Sequence, residues 1–431
     1  MDYFMSVLLL VLMFFSLMYK RKFIPFIFIL SGVTVSLLNG NGLQQTALEF
    51  SSSFWNVILT IGLNIVTIVA FSEYVNKNGS TKELVSLVYK PVGKIKDRYL
   101  ILAVFYLIGL LLSVVITSAS ALSMIFMSTV FPILVSKGIS KDGAAAMITS
   151  IGVIEFGPLK SSTIYMAEEQ NKHIYDYVMN EQVILFIGIA VVGAISHYFW
   201  QCYLDKRLGF IEDKSNKGDD FDSKHKVNML VALLPLLPLF LILFERFFTD
   251  FNLPLWGVGV VCISVSLIID LRMRKFSIKE QVLFFYNSVS NSFFFIVSII
   301  IGGKFLVSTL PIENVVNIYS NMHLSTINPI VFSSVLVLII VLSCTLLGSG
   351  TVSFITIVAI MSKLKLTSMT QFSSTFSSVQ MISGVGRSIS PISPTVLLCS
   401  NISQVSLFSI IIRNIVPAMS VTFFSIIYSN I

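Results

Sequence analysis

Long apolar stretches with no charged residue, such as Tyr99–Ile116 and Val331–Leu347, constrain this chain more than any other feature. Roughly 20 consecutive apolar residues cross the hydrocarbon core of a bilayer as a helix. Similar runs recur at about 3–19, 23–38, 54–75, 99–136, 143–167, 181–204, 229–249, 253–271, 282–302, 329–362, 371–400 and 405–428. Their length, and the lack of strict apolar/polar alternation, argue for membrane helices over a β-barrel. Composition agrees: only 12% of the 431 residues are charged, against about 25% in a soluble chain. The formal net charge of +7 sits in short loops between the runs. That distribution suits the positive-inside rule better than nucleic-acid binding, for which there is no motif.

Loop charge sets a topology. The loop 39–53 has no Lys or Arg and is expected outside. Segment 76–98 carries Lys77, Lys82, Lys90, Lys94, Lys96 and Arg98, and is expected inside with 137–142 and 205–228. The acidic segment 168–182 and the segment 303–328 are expected outside. Lys20, Arg21 and Lys22 follow the first apolar run, where a signal peptide would carry its charge before it, so Tyr3–Tyr19 is expected to be a retained helix.

Two runs, 99–136 and 329–362, are too long for one span, and each is interrupted by small residues. Thr117-Ser118-Ala119-Ser120 breaks the first and Gly348-Ser349-Gly350-Thr351 the second. Only a short arm separates Ser120 from Lys137, which favours a hairpin that enters and leaves on one side, or a short pair, over two full spans. The two runs align at constant offset: Leu112-Ser113 with Leu342-Ser343, Ser118 with Gly348, Ser120 with Gly350, Ser123 with Ser353. A second break follows in each half, at Gly157-Pro158 and from Gly384 to Pro391. With an odd number of crossings per half, the halves face opposite ways. Lys363 and Lys365 then fall outside, against the positive-inside trend.

The expectation is an all-α polytopic membrane protein of two inverted repeats, each with a re-entrant hairpin and a broken transmembrane helix. Residues 1–205 form the N-terminal repeat, 206–228 a charged cytoplasmic linker and 229–431 the C-terminal repeat. Irregular backbone at membrane depth persists only where it is buried or lines a cavity. Paired broken helices at matching places in two halves point to a transporter's binding site.

A charge inside an apolar run costs roughly 2.5–3.5 kcal/mol on insertion scales and needs a partner or a task. Glu155, Lys160 and Arg387 stand out. Lys160 follows the first break and Arg387 lies within the second, where a cation beside free backbone N–H groups suits a carboxylate. The competing account is that Glu155 pairs with Lys160, or that these side chains snorkel to the interface. The break hydroxyls Thr117, Ser118, Ser120, Ser161, Ser162, Ser349, Thr351, Ser388 and Ser390 are candidates for substrate or Na⁺, although Ser and Thr also satisfy helix backbone in membranes. Arg413 reads as a snorkelling anchor and His197 as an interfacial residue. Cys202, Cys262, Cys344 and Cys399 have no metal-ligand spacing and read as small hydrophobes. No nucleophile elbow or zinc helix is present, which argues against an enzyme.

Several stretches resemble one family. They are Lys90-Pro91 through Tyr99-Leu100, Ser118-Ala119-Ser120, Phe131-Pro132, Gly138-Ile139-Ser140, Ala144-Ala145-Ala146, His197-Tyr198-Phe199-Trp200-Gln201 with Tyr203-Leu204-Asp205-Lys206, Gly348-Ser349-Gly350, and Gly386-Arg387-Ser388-Ile389-Ser390-Pro391. Together they resemble the anaerobic four-carbon dicarboxylate uptake C (DcuC) family of the ion transporter superfamily. The resemblance implies a multi-pass carrier of succinate and fumarate in the bacterial inner membrane, dimeric, with a scaffold domain and a mobile domain that moves like an elevator. It leaves uptake, efflux or exchange open, and with them H⁺ or Na⁺ as coupling ion; no cofactor is implied. The alternatives are a carrier of another carboxylate or an amino acid, or an anion channel. Two positions depart from the family. Thr351 stands where Asn is usual, and Pro158-Leu159-Lys160-Ser161-Ser162 where the family tends toward Pro-Thr-Ser-Gly-Asp. The second change makes this half-site more positive, which suits an anion. The expected substrate site is Ser118, Ser120, Lys160, Ser161, Ser162, Ser349, Thr351, Arg387 and Ser388.

Overall fold

A computed structural model describes residues 23–89, 95, 97–210, 228–248, 253–273, 277–309, 329–363 and 372–430. The expected helix Tyr3–Tyr19, most of the linker 206–228 and residues 310–328 lie outside them. Every regular element among the described residues is helical. The order begins with α1 (Ile24–Leu38), α2 (Leu43–Lys77), α3 (Ser80–Tyr89), α4 (Arg98–Ser113), α5 (Ala119–Ser136), α6 (Lys141–Ser150), α7 (Ser161–Glu169) and α8 (Ile174–Arg207). It continues with α9 (Met229–Phe248), α10 (Leu255–Met273), α11 (Lys279–Thr309), α12 (Pro329–Leu347), α13 (Gly350–Lys363), α14 (Ser373–Ile382), α15 (Pro394–Ser403) and α16 (Leu407–Tyr428). Eight of the described helical stretches are long and apolar enough to cross a membrane.

Local chemistry starts these helices where the sequence changes character. Asp97 caps α4 by accepting from the N–H groups of Tyr99 and Leu100. Ser118 caps α5 through the N–H of Ala121, and Ser140 caps α6 through that of Gly143. Each cap satisfies donors that the first helical turn leaves without a partner. One wide π turn interrupts each of α2 (Ile58–Gly62), α8 (Val178–Gln182) and α11 (Phe293–Val297).

The loops sort to two ends. At one, Arg98 donates to the Gly138 carbonyl at 2.9 Å, Ser140 donates to Asp205 at 2.7 Å, and the Asn228 N–H reaches Glu83 at 3.3 Å. At the other, Asn39 donates to the Thr309 carbonyl at 2.8 Å, Lys304 pairs with Glu169 at 2.6 Å, and Ser362 donates to Glu169 at 2.5 Å. Arg98, Gly138, Ser140, Asp205 and Asn228 come from segments expected inside, and Asn39, Glu169, Lys304 and Thr309 from segments expected outside. α4 leaves the first end and α5 returns to it, as the Arg98–Gly138 bond requires. Near the start of α12 Asn430 donates to Ser333 at 2.8 Å, and near the end of α13 Ser362 donates to Glu169 at 2.5 Å.

α1, α2, α10 and α11 pack on one another, while α4–α8 and α12–α16 form a second body, with α13 packed across the boundary on α11. Within the second body the link between α4 and α5 lies on the irregular segment after α6, and the link between α12 and α13 lies on the segment after α14. A Cβ on Gly152 would sit 2.8 Å from the Ala119 Cα, and one on Gly350 would sit 2.2 Å from the Ser383 carbonyl oxygen. Neither approach leaves room for a side chain.

Two sequence expectations are corrected. His197 is fully buried, its Nε2 2.8 Å from Ser150 Oγ and its ring 4.9 Å from that of Tyr106, so it is not interfacial. Arg413 does not snorkel: it is 3% exposed and pairs with Asp205 at 2.7 Å, with Gln201 accepting at 2.9 Å. Both side chains face neighbouring helices, and a uniformly apolar run does not reveal which of its faces does so.

Candidate functional site

The two breaks and the two hairpin tips meet at one cavity of about 310 Å³. Thr117, Ser118 and Ser120 enter it from the first tip, Ser349 and Thr351 from the second. Lys160 and Ser161 come from the first break and Arg387 from the second. Arg387 stands on a single tight turn, Val385–Ile389, between α14 and α15. Lys160 is the residue before α7, so its side chain and the free N–H groups of that helix start share one place. α2 and α11 close the far wall with Val69, Glu73 and Ile296. Thr117 Oγ1 lies 2.9 Å from Ser72 Oγ, so the first tip is hydrogen-bonded to α2.

Charge in the cavity is organised around one ion pair. Arg387 Nη2 lies 2.5 Å from Glu155 Oε1 and also donates to the Gly152 carbonyl at 3.2 Å. Its Nε donates to the Gly384 carbonyl at 3.4 Å, so one guanidinium ties the two breaks together. The second oxygen of Glu155 accepts from Ser162 Oγ at 3.3 Å. Lys160 is 2% exposed, and its Nζ reaches the Thr117 carbonyl at 3.5 Å. The expected alternative, Glu155 paired with Lys160, is therefore not what the structure has: Glu155 belongs to Arg387. The guanidinium offers several donors and reaches across the breaks, whereas the ammonium is turned toward the first tip. Cationic Lys160 and Arg387 thus face acidic Glu155 and Glu73, with Glu73 accepting from Ser288.

Two expected site residues do not line the cavity. Ser162 is buried behind it, between Glu155 and Gln380. Ser388 is buried with its hydroxyl on the Val385 carbonyl at 2.8 Å, beside His197 and Asn414 rather than the cavity.

The sequence did not single out the brace behind the breaks. Gln380 Nε2 reaches the Glu155 carbonyl at 2.7 Å, Ser162 Oγ at 3.0 Å and Thr163 Oγ1 at 3.1 Å. Gln182, in the π turn of α8, donates to Gln380 Oε1 at 2.5 Å and accepts from the Gly157 N–H at 3.1 Å. Both amides are fully buried, so their network holds the first break against α14 and α8. Ser393 and Thr395 also line the cavity; the proximity of Ser393-Pro394-Thr395 to the second break is the signal that would have found them. Glu73, an acid inside the run 54–75, carries the same signal as Glu155.

A pocket of about 310 Å³ lies at the small end of the range for organic ligands. It holds hydroxyls from both halves, two cations and two carboxylates. That set suits a small polar ion. Among the described residues no cluster of three or more His, Cys, Asp and Glu could hold a metal.

Comparison with known proteins places this architecture. The model of a family described as C4-dicarboxylate anaerobic carrier, DcuC, matches residues 4–431. The anaerobic C4-dicarboxylate transporter DcuC of Escherichia coli K12 is 24% identical over 368 residues, covering 83% of this chain and 78% of the relative. A probable anaerobic C4-dicarboxylate transporter DcuC of Vibrio cholerae is 24% identical over 367 residues, covering 83% and 79%. These relatives are transporters and not enzymes, which agrees with the expectation of a carrier. With nearly the whole sequence matched by the family's model, the chain belongs to the DcuC family of C4-dicarboxylate anaerobic carriers.

Proposed function

We propose that this protein is a secondary carrier of four-carbon dicarboxylates, of the succinate and fumarate type, in the bacterial cytoplasmic membrane. The observation that carries this reading is the meeting of both tips and both breaks in one cavity that holds Lys160 and Arg387. A dianion crossing hydrocarbon unaided is prohibitively costly, so its path must supply positive charge and donors. Arg387 offers a planar fork to one carboxylate and Lys160 a compact charge to the other. The hydroxyls of Ser118, Ser120, Ser161, Ser349 and Thr351 add donors around the chain between them.

The mechanism we infer is elevator-like. The body of α4–α8 and α12–α16 moves against α1, α2, α10 and α11 and carries the cavity with it. The two hairpins, entering from opposite ends, act as the inner and outer lips. The sorting of the loops to two ends and the seating of each tip on its own break support two inverted halves, 1–205 and 229–431. In this account the carrier is a homodimer and is coupled to H⁺ or Na⁺.

A second reading, a carrier of an amino acid, has one observation in its favour: Glu73 offers an acceptor for an ammonium group across the cavity from the cations. Uptake into proteoliposomes separates the two. The panel is labelled succinate, fumarate, aspartate and a monocarboxylate, with and without internal substrate and ion gradients. Uptake of succinate or fumarate, stimulated by internal dicarboxylate, is expected. Uptake of aspartate alone establishes the second reading, and flux that internal substrate does not stimulate indicates a channel.

A further inference from the structure

The cation placed best to bind a substrate carboxylate is already occupied by a carboxylate of the protein itself. Glu155 Oε1 sits 2.5 Å from Arg387 Nη2, and both side chains line the cavity, 10% and 16% exposed. Glu155 belongs to the irregular segment between α6 and α7 rather than to a helix. Its backbone is fixed: the N–H donates to the Met381 carbonyl at 2.8 Å and the C=O accepts from Gln380 at 2.7 Å. Only its side chain is free to change partner. A second partner is in place, because Oε2 accepts from Ser162 Oγ at 3.3 Å. Lys160, five residues on, lines the same cavity with its ammonium on a carbonyl rather than a carboxylate.

We propose that Glu155 is a resident surrogate for substrate: it holds the carboxylate seat on Arg387 in the empty carrier and is displaced to Ser162 when a dicarboxylate binds. The inference rests on the dicarboxylate reading of the cavity and deepens it, by naming the residue that sets affinity and selectivity. An ion pair closed on itself keeps the unoccupied site from carrying an exposed guanidinium through the membrane. It also weakens substrate binding by the free energy needed to part Glu155 from Arg387. A monocarboxylate satisfied by Lys160 alone has no need to displace Glu155. A dicarboxylate spanning both cations must do so, and its second carboxylate replaces the bond that is lost.

The test is Glu155→Gln, which keeps the shape and the hydrogen bonds to Ser162 and removes the charge that competes for Arg387. Purified wild type and variant are titrated with succinate and with butyrate by calorimetry, and succinate exchange is measured in proteoliposomes. The expected result is succinate binding about tenfold tighter in the variant, a change of 1.4 kcal/mol. The gain for butyrate should be much smaller, and succinate exchange should slow because release is slower. Glu155→Asp, with a shorter arm to Arg387, should tighten succinate binding a few-fold, and it carries the test if the Gln variant does not fold. Unchanged or weaker succinate binding in a folded variant, or an equal gain for succinate and butyrate, overturns the proposal. A wild type that binds no dicarboxylate at all overturns the substrate assignment instead, so the two failures are distinguishable.

Discussion

Two of the arginine–carboxylate pairs among the described residues are buried or nearly so, and they differ in what surrounds them. Arg413 and Asp205 are 3% and 2% exposed in their side chains and lie 2.7 Å apart. Gln201 accepts from Arg413, and Tyr99 and Ser140 donate to Asp205 at 3.0 and 2.7 Å. That network ties α4, the turn before α6, α8 and α16 together at one end. Arg387 and Glu155 form a slightly shorter pair, 2.5 Å apart, at the wall of a cavity. The first pair is enclosed by its own partners and is placed as a clamp. The second faces an open cavity, the place where we propose that a substrate carboxylate binds. What distinguishes them is access and the stiffness of the backbone beneath, not the chemistry of the groups.

The comparison is broken most severely at the clamp. Arg413→Ala leaves Asp205 buried and unpaired, a loss of about 3–5 kcal/mol. The expected outcome is a large fall in melting temperature, or no folded protein in the membrane, read by thermal unfolding and size-exclusion chromatography of detergent-purified variants.

Arg387→Ala should instead cost transport more than fold. Losing a charge-assisted contact of about 2–3 kcal/mol raises KM for succinate roughly a hundredfold. Adding Glu155→Gln should restore thermal stability but not transport. Arg387→Lys keeps the charge and loses the fork, so its KM should fall between wild type and Arg387→Ala. If Arg387→Ala transports like wild type, the residue is not in the site.

Lys160→Ala removes the cation that has no carboxylate within ion-pair distance, and should raise KM by about tenfold with little loss of stability. The two serines sharpen the comparison at its smallest scale. Ser349 lines the cavity, and Ser349→Ala should raise KM about threefold, the worth of one neutral hydrogen bond. Ser388 bonds its own turn, and Ser388→Ala should leave KM unchanged within error, with at most about 1 kcal/mol of stability lost.

The sequence disclosed the elements that break rules and concealed those that obey them. Small residues inside an apolar run, and Lys160 and Arg387 beside Gly and Pro, are costly in a bilayer unless they do something, so they were legible. The partner of Glu155 was not. Lys160 is near in sequence and Arg387 is brought in only by folding, and spacing along a chain carries no information about the second. Gln182 and Gln380 were passed over because an uncharged amide in a polar-tolerant stretch raises no alarm, although both are fully buried. Ser162 and Ser388 were placed with their neighbours by proximity in sequence. Direction decided otherwise: in the first turn of α7 and in the tight turn Val385–Ile389, adjacent side chains point to different sides. His197 and Arg413 failed for the complementary reason: on a helix that is apolar all round, periodicity does not say which face meets protein and which meets lipid.

The central claim is that the tips of both hairpins line one substrate cavity. Cysteine placed at Ser118 and, separately, at Ser349 in a cysteine-free background tests it directly, by the rate of alkylation with a small hydrophilic thiol reagent. Succinate at concentrations around its transport KM should slow alkylation at both positions, and a neutral four-carbon diol should slow neither. Alkylation that succinate leaves unchanged at both positions, in a protein that still transports succinate, would contradict the account.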